Sequence, residues 1–134
     1  MCGIAGFIDT SGQFTEENLL ASTNALAHRG PDACGSYFKN GIGLGHRRLS
    51  IIDLSQNANQ PMFSHDKRYI MVYNGEIYNF RELASKYFKN QHFDTTSDSE
   101  VILELFALKG VDFVNELNGM FAIAIYDTYA KELY

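Results

Sequence analysis

A chain of 134 residues, 46% apolar and 20% charged, holds enough apolar mass for one folded domain and too few residues for two. Its 16 acidic against 11 basic side chains leave a net charge of −5, which excludes a nucleic-acid binder that relies on a basic face. The longest apolar run, Met120 to Tyr126, is far too short to cross a bilayer. No basic-then-apolar leader opens the residues given, and two cysteines do not make a disulfide framework, so a cytoplasmic setting is expected.

In chain order, residues 2 to 9 read as a short strand whose glycines mark close backbone approach. Thr15 reads as an N-cap, with Leu19, Leu20, Thr23, Leu26 and Ala27 forming one helical face that stops at Gly30-Pro31. Asn40-Gly41, between two strand-like stretches from Gly35 to Asp53, is a hairpin signal of type I′. Residues 54 to 68 read as a loop. Arg68 to Tyr73 is a strand that runs into a second Asn-Gly pair, Asn74-Gly75, which read alone is another hairpin turn.

A helix follows from about Asn79, with Asn79 and Glu82 at capping spacing. Ser97 and Glu100 form the capping box of a third helix, with Val101, Ile102, Leu105 and Phe106 buried and Gly110 at its end. Met120 to Tyr126, apolar at every position, predicts a strand covered on both faces. Asp127 to Lys131 reads as a turn, and Glu132 to Tyr134 as the start of another strand. Strands mixed with three helices give an α+β sandwich. A strand that starts at the last residues predicts a chain truncated before its final strands. One sheet edge would then be left free to pair with another chain, a second copy included.

Cys2 is the first candidate for chemistry. Once Met1 is removed, Cys2 carries a thiol of pKa about 8.5 and an α-amine of pKa about 7.7 to 8.0, a nucleophile and a base on one residue. A cysteine second in the chain is commonplace by itself. Five further segments accompany it: His28-Arg29-Gly30-Pro31-Asp32, Gly45 to Asp53 (GHRRLSIID), Asn74 to Asn79 (NGEIYN), Ser97 to Ile102 (SDSEVI) and Leu117 to Ala122 (LNGMFA). Together with Cys2-Gly3-Ile4-Ala5-Gly6, and in this order, they closely resemble the class II glutamine amidotransferase domain. The branch they are most similar to is the N-terminal glutaminase domain of glutamine-hydrolysing asparagine synthetases.

That resemblance covers essentially the whole of residues 1 to 134. It implies an N-terminal-nucleophile hydrolase fold, a four-layer αββα sandwich of antiparallel sheets, here C-terminally incomplete. It also implies hydrolysis of glutamine to glutamate and ammonia. By resemblance Cys2 is the nucleophile, while the Asn74 side-chain amide and the Gly75 backbone N–H form the oxyanion hole. Arg48 takes the substrate α-carboxylate, Asp98 and Glu76 take the α-amine, and backbone groups from Leu49 to Ile51 line the pocket. The segment His28 to Asp32 corresponds to a loop that closes over bound glutamine.

Each role suits its residue. Arginine grips a carboxylate bidentately, an asparagine amide offers uncharged donors, and glycine lets a main-chain donor approach closely. Each also has an ordinary structural reading: Asp98 falls in the first turn of a helix, where an acid favours the dipole, and Arg48 is placed where a surface arginine could stand. No catalytic role falls to His28 or His46. Cys2, His28, Cys34 and His46 lack zinc-site spacing, so no metal is expected, and Cys34 reads as a free, partly buried thiol. No cofactor is expected in this chain. ATP and Mg belong to the synthetase domain that the family fuses C-terminally and that receives the ammonia, and nothing in these residues resembles that domain. Two alternatives stay open: an incomplete domain that binds a ligand or partner without turnover, and transfer to an acceptor other than aspartate.

Overall fold

The computed structural model describes residues 2 to 134. Two antiparallel sheets form its middle. The first has the order β1-β3-β2, built from β1 (Gly3–Ile8), β2 (Ala33–Lys39) and β3 (Ile42–Arg48). The second has the order β4-β5-β6-β7, built from β4 (Met62–Phe63), β5 (Tyr69–Ile77), β6 (Gly119–Asp127) and β7 (Glu132–Leu133). Helix α1 (Glu16–Ala25) packs on β1, β2 and β3; β1 and β3 pack on β5; α3 (Asp98–Lys109) covers β4 and β5, with α2 (Phe80–Tyr87) against α3. The layers therefore run helix, sheet, sheet, helices.

Alternation along β5 builds both halves of the core, because successive side chains leave a strand on opposite faces. Ile70 and Val72 join Ile42, Leu44 and Tyr126 between the sheets. Met71, Tyr73 and Ile77 join Leu83, Ile102, Leu105 and Phe106 under the helices. Glycines let the layers close. A Cβ on Gly45 would lie 2.0 Å from Thr23 Oγ1 of α1, and one on Gly3 would lie 2.8 Å from Leu26 Cβ.

Several local expectations hold. Thr15 caps α1 through a reciprocal box with Asn18, and Asn40 and Gly41 both take positive φ, as the β2–β3 turn requires. Gly110 ends α3 at φ 63°. Others are corrected. Helix α1 stops at Ala25, five residues before Gly30, and Leu20 faces outward. The loop from 54 to 68 contains a 3₁₀ turn at Gln56–Ala58 and the short β4.

Asn74-Gly75 is not a turn. β5 runs straight through it, paired Asn74 to Ala122 and Gly75 to Phe121. Neither residue has positive φ; the glycine is needed for close approach, since a Cβ there would sit 2.3 Å from the Met120 carbonyl oxygen. Asn79 and Ser97 make no side-chain cap. The Asn79 amide instead donates to Glu116 O at 2.9 Å and accepts from Asn118 N at 3.0 Å, clipping the start of β6 to the end of β5. Glu100 turns to the preceding loop, accepting from Asp94 N, Thr95 N and Thr95 Oγ1, and it pairs with His65 Nε2 at 2.8 Å. β6 is covered only at its far end: Met120 and Phe121 are exposed, whereas Ile125 and Tyr126 are buried. Cys34 is exposed, not partly buried.

The contact at Gly75 predicts that Gly75→Ala destabilises the domain by about 1–3 kcal/mol, as overpacking against backbone does. Urea unfolding of the two proteins measures it.

Candidate active site

Antiparallel pairing places the nucleophile candidate. Gly3 lies opposite Arg47, so Cys2 comes to the end of the ladder beside the residues that leave β3. Leu49 N–H donates to Cys2 Sγ at 3.4 Å, and the thiol donates to Leu49 O at 3.7 Å. Arg29 Nε donates to the Cys2 carbonyl at 3.0 Å and fixes the peptide that carries the sulfur. Met1, on whose removal a free Cys2 amine depends, lies outside the described residues.

Cys2 opens on a cleft of about 190 Å³. It is lined by Arg48, Leu49, Ile51, Ile52 and Asp53 from the end of β3 and the segment after it, by Tyr73, Gly75 and Glu76 of β5, and by Asp98 and Met120, with His46 and Gln60 also contributing. The structure thus gathers Cys2, Arg48, Leu49, Ile51, Gly75, Glu76 and Asp98, all expected from sequence, around one space. Asn74 is not among the lining residues. Alternation puts its side chain on the same face of β5 as Ile70 and Val72, and its Oδ1 is buried without a partner among the described residues.

The cleft is lined by charges of both signs. Arg48 is 8% exposed. Its Nη1 donates to Ser55 O at 2.7 Å and to Asn59 Oδ1 at 2.8 Å, and its Nη2 donates to the Asp53 carbonyl. Among the described residues no carboxylate lies within ion-pair distance of it. A buried cation that braces a loop and faces a cleft without an acid partner is suited to a visiting anion. Asp98, 5% exposed, also lines the cleft and begins α3, where the helix dipole favours a carboxylate. Asp98 Oδ2 accepts from Tyr73 Oη–H at 2.6 Å and Ile77 N–H at 3.0 Å. Glu76 adds a second, exposed acid to the lining. A cation and two acids lining one cleft match the charges of a zwitterion.

Sequence reading missed four lining residues whose partners are distant in the chain. Gln60 Oε1 accepts from Tyr73 N at 2.6 Å, and His46 Nε2 donates to Tyr73 O at 3.2 Å. Asp53 accepts from Thr96 N and Thr96 Oγ1, strapping the loop after β3 to the segment that leads into α3. Hydrogen bonds from Ser55, then from Thr96, hold the Asp53 carboxyl well below the usual range. Residues 28 to 32 do not line the cleft. They are anchored behind it, with Asp32 Oδ2 accepting from Ser50 N at 2.7 Å and Asp32 N donating to Arg48 O at 3.0 Å. Among the described residues one group with metal-ligand chemistry converges, His65 with Asp94 and Glu100, their ligand atoms within 4.8 Å. None of the three lines the cleft, and the Glu100 oxygens serve the loop amides before α3.

His46 is 1% exposed, and its imidazole is pushed down from 6.5 to about 4 by burial, with the nearby Arg48 charge adding to the shift. The unfolded chain takes up this proton below about pH 6.5, and the folded chain only near 4, so unfolding free energy should decrease as pH is lowered from 6.5 to 4. The slope attributable to His46 approaches about 1.4 kcal/mol per pH unit. Denaturant unfolding at pH 7 and pH 5 should show that component in the native sequence and not in His46→Gln.

The family profile described as "Glutamine amidotransferase domain" matches residues 1–134. Asparagine synthetase B [glutamine-hydrolyzing] of Escherichia coli is 41% identical over 130 residues, covering 96% of this chain and 23% of that protein. Asparagine synthetase [glutamine-hydrolyzing] 2 of Bacillus subtilis is 39% identical over 138 residues, 100% of this chain and 18% of its own. Asparagine synthetase [glutamine-hydrolyzing] 1 of Arabidopsis thaliana is 42% identical over 130 residues, 96% and 22%. The chain therefore spans about a fifth of the length of these relatives. A whole-chain family match, on two stacked antiparallel sheets with Cys2 in the cleft, leads to one conclusion: the chain belongs to the glutamine amidotransferase domain family.

Proposed function

We propose that this chain hydrolyses glutamine to glutamate and ammonia through Cys2, as the glutaminase half of an asparagine synthetase-like enzyme. The observation that carries the reading is that Cys2, Arg48, Asp98 and Glu76 line one cleft. A free amino acid needs opposite charges at its α-carboxylate and α-ammonium and a nucleophile beyond them, and all three face the same cleft. Arg48 takes the carboxylate, Asp98 and Glu76 the ammonium, and the backbone from Leu49 to Ile51 the side of the ligand.

With Met1 removed, the Cys2 amine accepts the thiol proton, and the thiolate attacks the side-chain carbonyl carbon. Negative charge develops on the carbonyl oxygen, and the Gly75 N–H and the Asn74 amide stabilise it. The atom that would donate is Asn74 Nδ2, which makes no hydrogen bond among the described residues. The C–N bond breaks, ammonia departs with the proton returned by the amine, and a γ-glutamyl thioester remains on Cys2. Water, deprotonated by the same amine, hydrolyses the thioester through a second oxyanion and restores the thiol. These steps need no cofactor; ATP and Mg would serve the ammonia-accepting synthetase domain, fused C-terminally in such enzymes.

Two free cysteines fit a reducing cytoplasm, and among the described residues no helix is long and apolar enough to cross a membrane.

Mass spectrometry before and after treatment with a glutamine-like alkylating analogue tests the first step. The expected product has lost Met1 and carries a single adduct on Cys2. Cys2→Ala should abolish ammonia release while glutamate still binds by calorimetry; ammonia release at the original rate overturns the proposal. Asn74→Ala should lower kcat by about 10²–10³ with little change in KM, the usual effect of losing one oxyanion donor.

A further inference from the structure

The acid that would hold the substrate ammonium is itself held, and by an unusual partner. Tyr73 sits in the middle of β5 with its backbone fixed on both sides: its N–H donates to Gln60 Oε1 at 2.6 Å, and its carbonyl receives His46 Nε2 at 3.2 Å. Its ring is buried under α3, 3% exposed, among Met71, Ile102 and Leu105. From there its hydroxyl reaches one oxygen of Asp98, Oδ2, at 2.6 Å, and the Ile77 N–H reaches the same oxygen at 3.0 Å. Among the described residues Asp98 Oδ1 accepts nothing, and Asp98 lines the cleft. Burial, then the bond to Asp98, drives the Tyr73 phenol far above its ordinary range, so it stays a proton donor at every working pH.

Resting on the reading above, we infer that Tyr73 is a positioning residue for amine recognition: its hydroxyl, with the Ile77 N–H, occupies Asp98 Oδ2 so that Oδ1 is presented to the ligand's α-ammonium. The carboxylate would otherwise be free to rotate about its terminal torsion, which has broad wells. Held through Oδ2, it offers one oxygen in one direction. The bond is short and ends on an ion, the strong class of hydrogen bond. Tyr73 also makes the other arrangement unfavourable, because Asp98 cannot turn both oxygens to the cleft without stranding a buried hydroxyl.

The consequence is selectivity for ligands that carry an α-amine, which glutamate and glutarate distinguish because they differ only in that group. Calorimetric titration of each compound into the native chain and into Tyr73→Phe, with Asp98→Asn as reference, reads it without requiring turnover. The native chain should prefer glutamate. Tyr73→Phe should lose about tenfold in glutamate affinity, the scale of one charge-assisted hydrogen bond, while glutarate affinity holds. Equal losses for both ligands would mark Tyr73 as a packing residue and overturn the inference. So would an undiminished preference in Tyr73→Phe that disappears in Asp98→Asn, a result that leaves Asp98's role standing. No preference in the native chain overturns both the role of Asp98 and the inference built on it.

Discussion

The register of β1 against β3 is the constraint on which the site depends. Gly3 opposite Arg47 puts Cys2 beside Leu49 and turns Arg48 toward the cleft. Side chains alternate along a strand, so a slip of one residue would exchange every inward position for an outward one. The register is fixed by close contacts that only glycine permits: Gly3 against Leu26, Gly6 against the Gly43 carbonyl, and Gly45 against Thr23. Any side chain moved into one of these places would collide with backbone or with α1. The same glycines that weaken β1 as an isolated strand thus specify where its first residue lies.

The cleft is a meeting of segments with little local structure in common. Arg48 braces the loop after β3 by three donations, and Asp53 ties that loop to Thr96 just ahead of α3. Asn79 clips the end of β5 to the start of β6. These polar links lie around the rim, while apolar packing between the sheets and under α3 supplies the bulk of the burial. The division follows from the chemistry. Apolar burial is non-directional and can hold layers together, but hydrogen bonds with fixed geometry are needed to aim single groups.

What could be read from the residues follows the range of the interaction. The β2–β3 turn was legible because Asn40 and Gly41 take the φ values their own chemistry favours. The Thr15 cap was legible because its partner, Asn18, is three residues away, although the box is closed by an asparagine. Asn74-Gly75 carries the same dipeptide and lies in a continuous strand, because the close approach of Met120 comes from a strand more than forty residues later. Glu100 has capping spacing from Ser97, yet the amides of Asp94 and Thr95 and the ring of His65 claim it. Cys2, Arg48, Leu49, Ile51, Gly75, Glu76 and Asp98 were found through the resemblance and converge on one space. Tyr73, His46 and Gln60 were not, since nothing near them in sequence shows the network that joins them.

Asp98 engaged through one oxygen and Arg48 braced against its loop are two fixed points of unlike charge, and Cys2 is a third. A triangle is flat and has no hand of its own; a cleft gives it one, because a ligand meets the three groups from the open side. On the roles proposed for them, a mirror-image ligand can satisfy any two but must misplace the last. On those roles the polar bracing of the cleft would impose a stereochemical choice before any bond is made or broken.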